Sequence, residues 1–175
     1  MPNHVINELV FRGVSQDQVA SIIDATCRDG LVNFEVLLPM PLNVWRASIG
    51  AVEEKAFGQT WYEWSTANWG TKWNAYSHKE TQIGPDNLTL CFETAWRPPY
   101  PWLCAVWNHL KLPFEHNWLD EGAERARSGV FQLDESPMGR DWKEDDATDE
   151  AHRRLHKLHW GIETFEDEAE KNDAE

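Results

Sequence analysis

The order in which two hydrophobic periods succeed one another constrains this chain more than any other feature. "HVINELVFRG" (4–13) alternates apolar and polar residues and ends in Gly13, the pattern of a strand. "SQDQVASIIDATCRDG" (15–30) then changes to helical spacing. Ser15 and Gln18 make a capping box, Val19, Ile22 and Ile23 share a face, and Gly30 marks a stop. "VNFEVLLP" (32–39) reads as a second strand, closed by Pro39 and Pro41. "NLTLCFETAW" (87–96) gives a third, with Leu88, Leu90 and Phe92 set against Thr89, Cys91 and Glu93. Prolines open a helix in "PPYPWLCAVWNHLK" (98–111), where Leu103, Val106, Trp107 and Leu110 form an amphipathic face. "LPFEHNWL" (112–119) is a fourth strand and "SGVFQLD" (128–134) a fifth. The order β-α-β-(insertion)-β-α-β is the split βαβ arrangement, an α+β ferredoxin-like sheet with two helices on one face.

The insertion, about 42–87, holds Trp45, Trp61, Trp64, Trp69 and Trp73 of the eleven tryptophans. It is too aromatic for disorder and is expected to be ordered, with short helices. The domain division expected is 1–135 for the ferredoxin-like unit and 136–175 for an acidic linker, helix and disordered tail. In the last part Leu155, Leu158, Ile162 and Phe165 repeat at +3, +4, +3. That narrow seam fits either docking on its own domain or pairing between two subunits as a homodimer.

Charge separates the same two parts. Residues 1–130 carry 10 Lys and Arg against 15 Asp and Glu, and residues 131–175 carry 6 against 15, within a total of −14. Such a field repels phosphate backbones and favours a basic partner, including a protein that itself binds nucleic acid; direct nucleic-acid binding is not expected. No apolar run is long enough to span a membrane, and the N-terminus lacks the basic start and apolar stretch of a signal peptide, so residence in the cytoplasm is expected. Cys27, Cys91 and Cys104 are widely spaced, make neither a disulfide nor a zinc pattern, and are expected to be reduced core residues.

Taken together, "MPNHVINELVFRG", "FEVLLPMP", "WGTKWNAY", "FETAWRPPYPW" and "FEHNWLDEG" resemble the YubB-type proteins of plasmids, prophages and genomic islands. The resemblance covers about residues 1–122. It implies a ferredoxin-like domain, carriage on mobile DNA and cytoplasmic residence, and it implies no activity.

Two sets of residues are candidates for recognition. The first is aromatic and polar: Trp69, Lys72, Trp73, Asn74, Thr94, Trp96, His116, Trp118, Asp120 and Glu121. It could line a pocket for a polar or aromatic ligand, with His116 as a base oriented by Asp120 or Glu121. The more ordinary reading is that the tryptophans plug the open sheet face, with Lys72 paired to Asp120 or Glu121. The second is the acidic run Asp141, Glu144, Asp145, Asp146, Asp149 and Glu150, with Leu155, Leu158 and Ile162 behind it. Spaced carboxylates can imitate a phosphate backbone and occupy a basic channel, an anti-defence or anti-CRISPR role; a plain solvated face is the alternative. His152, His156 and His159 share a helical face with Glu163, but Arg153, Arg154 and Lys157 among them oppose a cation. Base stacking on exposed sheet aromatics, as in RNA-binding sheets, lacks its basic signature segment here. There is no nucleophile in a recognised setting, no phosphate loop and no metal-ligand spacing. The sequence thus leads to a non-enzymatic interaction protein binding a basic host protein, without cofactor or metal. The alternative is a small-molecule binding module or weak enzyme built on the Trp/His/carboxylate set.

Overall fold

The computed structural model of the chain describes residues 3–79, 81–131 and 144–161. Strand β1 (His4–Arg12) leads into helix α1 (Gln16–Thr26), then a hairpin of β2 (Cys27–Arg28) and β3 (Leu31–Val32), then a 3-10 turn over Phe34–Val36. Helices α2 (Ala51–Phe57) and α3 (Trp61–Asn68) occupy the insertion and precede β4 (Gln82–Ile83) and β5 (Asn87–Ala95). Helix α4 (Tyr100–Leu110), strands β6 (Phe114–Asp120), β7 (Arg127–Phe131) and β8 (Glu144–Asp146), and helix α5 (Asp149–Trp160) follow.

Six strands form one antiparallel sheet in the order β4-β5-β1-β6-β7-β8. The part β6-β1-β5-β4 is the split βαβ sheet, and the chain is an α+β protein of ferredoxin-like fold. β1 runs down the middle, pairing His4 with Ala95 on one side and Val5 with Asp120 on the other. All of Val5–Phe11 is buried, Asn7 and Glu8 included. Its odd residues Leu9 and Phe11 join Leu88, Leu90, Phe92 and Phe114 against α1 and α4, which contribute Val19, Ile22, Trp102, Leu103 and Val106. The capping box of Ser15 and Gln18 opens α1 as expected.

Three differences from the expected layout have physical causes. After Val32, which closes β3, "VNFEVLLP" is not a strand and joins no part of the main sheet. The Asn33 side chain accepts from the Glu35 N–H and turns the backbone into a 3-10 helix, which drops Phe34 into the core beside Trp102 and Phe92. The edge place of a second strand is taken by β4, from the end of the insertion. Gly30 does not stop α1, which ends at Thr26. Asp29 and Gly30 both have positive φ (54° and 79°) and make the tight turn of the β2–β3 hairpin.

The third difference concerns the part expected to follow residue 135, of which residues 144–161 are described. β8 pairs with β7 inside the same sheet, and α5 covers the face opposite α1 and α4. Ala151 and Leu155 pack there on Ile6, Leu119, Ala126 and Ala147. Leu155 is fully buried, so it is not available to a partner or to a homodimer seam; α5 docks on its own domain. Leu158 is partly buried against the same cluster, and Ile162 and Phe165 lie outside the described residues, as does the expected tail. Both central faces of the sheet are therefore covered, which removes the open face that base stacking would use. Among the cysteines only Cys91 is buried; Cys27 is half-buried and Cys104 exposed, contrary to the expectation of three core residues.

Candidate functional site

The stretch "WGTKWNAY" (69–76) carries the chain from the core to the surface one residue at a time. Trp69 is buried, donating its indole N–H to the Leu38 carbonyl at 3.0 Å and meeting Trp64 edge-on. Gly70 has φ +85° and lies so close to Pro101 that a Cβ would collide with the proline ring, which fixes glycine here. The Thr71 hydroxyl donates to the Ala95 carbonyl at 2.7 Å and accepts from the Ala95 N–H at 3.1 Å, pinning the loop to the end of β5. Lys72 and Trp73 then emerge. Asn74 turns back inward, accepting from the Phe34 and Ala75 N–H groups and donating to the Asn33 side chain. Tyr76 bridges to Glu93 on β5 through the backbone.

Trp96 follows β5 directly and has φ +73°, a left-handed backbone that a bulky side chain rarely adopts. Its N–H donates to the Asn3 carbonyl, and the Thr94 hydroxyl donates to the Arg97 carbonyl, so the turn is held from both sides. The result is that Trp96 and Trp73 stand out together. The Lys72 ammonium lies over both rings, 4.9 Å from the Trp73 centroid and 4.8 Å from that of Trp96. Tyr62 of α3 meets Trp96 edge-on, and Tyr76 does the same to Trp73. Trp73 is 38% and Trp96 40% exposed, the only exposed tryptophans among the described residues.

An ionisable group borders this cluster on the same end of the sheet. His4 lies 2.8 Å from the Tyr76 hydroxyl and 3.7 Å from Glu93, and His159 at the end of α5 reaches Glu93 at 3.2 Å. Burial, with the charges of Glu93 and Glu121 added, pushes the Tyr76 phenol well above its ordinary value, so it remains a neutral donor. Asp120 accepts from the Gly122 N–H and from Asn3, whose carbonyl holds Trp96, and the Glu121 N–H donates to the His4 carbonyl.

Five expected residues thus gather at one end: Lys72, Trp73, Trp96, Asp120 and Glu121. The other five do not. Trp69, Asn74 and Thr94 are scaffold. His116 is fully buried on the α4 side of the sheet, bonded to Asn7 at 3.1 Å, and its Nδ1 has no protein partner. Burial lowers its pKa to about 3, so it stays neutral and faces neither Asp120 nor Glu121 as a base would require. Trp118 donates its indole N–H to Glu144, which also accepts from the Tyr100 hydroxyl. Lys72 pairs with aromatic rings and not, as one reading had it, with Asp120 or Glu121.

This is also the fate of most of the acidic run. Glu144 ties β8 to Trp118 and Tyr100, Asp146 pairs with Arg127 at 2.7 Å, Asp149 pairs with Arg125, and Glu150 lies 3.9 Å from Arg154. Asp145 is exposed, and Asp141 lies outside the described residues. The α5 histidines diverge: His152 accepts from the Ala126 N–H, His156 is buried and His159 meets Glu93. Among the described residues no group of three His, Cys, Asp or Glu side chains is placed to hold a metal ion.

With this arrangement in view, a family model for the ferredoxin-like domain in Api92-like protein matches residues 72–172, more than half of the chain. The chain belongs to that family. The match opens at Lys72, inside the aromatic cluster, and runs through β5, α4, β6, β7, β8 and α5, so the acidic segment and its helix lie within the family domain. No curated protein and no solved structure matches the chain. Among the described residues no helix is long and apolar enough to cross a membrane.

Tyr62, Tyr76, His4, Glu93 and His159 were not anticipated as parts of one site. Tyr76 carried a signal as the last residue of the octapeptide and His159 as one of the α5 histidines; Tyr62, His4 and Glu93 come from α3, β1 and β5 and join them through tertiary contact alone.

Proposed function

We propose that the chain is a non-enzymatic interaction protein of a mobile genetic element, of the YubB-type group, that binds a basic protein of its host in an anti-defence role. The aromatic end of the sheet is its contact surface. The observation that carries this reading is the exposed pair Trp73 and Trp96, presented side by side around Lys72. Exposed tryptophan and tyrosine clusters have the composition of interface hot spots. A left-handed Trp96 is strain of the kind found where a side chain must be aimed. The net charge of −14 supplies long-range attraction for a basic partner.

Because Glu144 is held by Trp118 and Tyr100, and Asp146 and Asp149 pair with Arg127 and Arg125, the acidic segment acts mainly through its field and less as a free row of carboxylates. That favours surface contact over imitation of a nucleic-acid backbone. The dispersal of the ten expected ligand residues over three places favours the same reading over an enclosed small-molecule pocket.

The test is capture from host lysate by immobilised full-length protein, with the double variant Trp73→Ala/Trp96→Ala beside it. A basic protein should be retained at low salt, released as exposed charges are screened beyond about 8 Å at physiological ionic strength, and lost by the variant. Retention that ignores both salt and the two tryptophans would refute the proposal.

A further inference from the structure

Resting on the reading that the aromatic end is the contact surface, we infer that it is a cage for an arginine side chain, filled in the free protein by the chain's own Lys72. The ammonium lies within the roughly 6 Å range of cation–π attraction for two indoles at once. Among the described residues Lys72 enters no ion pair, so the ring faces are what its charge meets. The cage is built from separate elements: Tyr62 on α3, Lys72 and Trp73 on the loop after it, and Trp96 at the end of β5. Edge-on contacts from Tyr62 and Tyr76 hold the two indoles upright. The surroundings favour a cation, since Glu93 and Glu121 both act on Tyr76, which touches Trp73.

Lys72 is a replaceable occupant. An ammonium is strongly hydrated, whereas a guanidinium is planar, weakly hydrated and stacks on aromatic faces. An arginine of a basic partner therefore outcompetes lysine on the same rings. Lys72 in turn acts as an intramolecular competitor that keeps the exposed indoles covered until such a partner arrives. The strained backbone of Trp96 and the pinning of Ala95 by Thr71 fix the cage before binding. The lysine tether leaves the occupant free to exchange.

The probe is N-methylguanidinium, titrated into full-length protein and followed by the indole N–H resonances of Trp73 and Trp96, assigned with Trp→Phe variants. N-Methylurea, of similar shape and no charge, is the control. Lys72→Ala empties the cage, and Lys72→Gln does so while keeping most of the side-chain length. Both leave the Ser65 hydroxyl its bond to the backbone carbonyl of residue 72. Either variant should bind the probe about tenfold more tightly than the parent, the effect of removing a competitor held on two rings. Adding Trp96→Ala should abolish the gain, and methylurea should shift neither resonance. Equal affinity in parent and variants, or equal binding of methylurea, would overturn the cage. The outcomes separate the two proposals. Probe binding with no basic host protein captured leaves the cage and removes the function. Capture that depends on the tryptophans, with no probe binding, does the reverse.

Discussion

Replacing Arg154 by Met should destabilise the fold by about 2–4 kcal/mol, because it strands a charge in the middle of the sheet. Glu8 is 1% exposed. Arg154 reaches it from α5 with two hydrogen bonds, Nε to Oε1 at 2.7 Å and Nη2 to Oε2 at 2.6 Å, and Asn117 adds a third at 3.1 Å. Removing one partner of a buried pair costs about 3–5 kcal/mol, but the Arg154 side chain is 35% exposed, and water entering from that side reduces the loss. For a chain of this size each kcal/mol lowers Tm by about 2–4 °C, so thermal unfolding should move down by about 4–16 °C. The double variant Glu8→Leu/Arg154→Met should regain most of the loss, since two apolar side chains can pack between β1 and α5 without a charge to solvate. Urea unfolding of the parent, both single variants and the double variant gives the coupling energy directly. A loss below about 0.5 kcal/mol for Arg154→Met, the size of an ordinary surface change, or strict additivity in the cycle, would mean that α5 does not close over Glu8.

A chain ending at residue 135 lacks β8 and α5, uncovers Ile6 and Leu119 and deprives Glu8 of Arg154; it should lose its cooperative transition by calorimetry, and a sharp native-like transition would show α5 to be dispensable. His116 is held neutral at about 3 against an ordinary 6.5, so between those values the unfolded chain binds a proton that the fold does not. Its contribution is therefore complete above pH 6.5 and declines as pH falls toward 3, by up to about 1.4 kcal/mol per pH unit, and His116→Leu should flatten that part of the stability profile relative to the parent. Trp96→Gly relieves a left-handed backbone costing about 1–2 kcal/mol while losing ring contacts, so stability by urea unfolding should change by less than about 1 kcal/mol although partner capture disappears. Native protein should react with a thiol reagent at exposed Cys104, whereas buried Cys91, its thiol pushed up to about 12, should react only on unfolding.

Elements that obey one local rule were legible. The Ser15/Gln18 box, the Leu103/Val106/Trp107 face and the alternation in β5 each reproduce in space what their spacing implies. "VNFEVLLP" was not, because a single side-chain bond from Asn33 overrides the β-forming residues around it. β8 was hidden for a different reason. Glu-Asp-Asp is a poor strand by propensity and is held there by Arg127, Tyr100 and Trp118. Of the site, Lys72, Trp73 and Trp96 stood out by composition and do meet. Trp69 shared that composition, yet Gly70 packing on Pro101 turns it the other way. No period in the sequence could bring His4, Glu93 and His159 together from opposite ends of the chain.

The central position of β1 bears on how the protein is made. It is the earliest of the strands to leave the ribosome, yet its neighbours are β5 and β6, with His4 waiting for Ala95 and Val5 for Asp120. At about 5–20 residues per second that interval is on the order of 5–20 s, during which a segment destined for complete burial has no sheet to join. α1 can form locally in that time, but it has no face to pack on until β5 and α4 arrive. Assembly of the sheet is thus postponed until β5, α4 and β6 have emerged and then occurs nearly at once. Throughout that delay "VINELVF" is a bare, unpaired strand, and the nascent chain should depend on holding chaperones far more than the finished protein does.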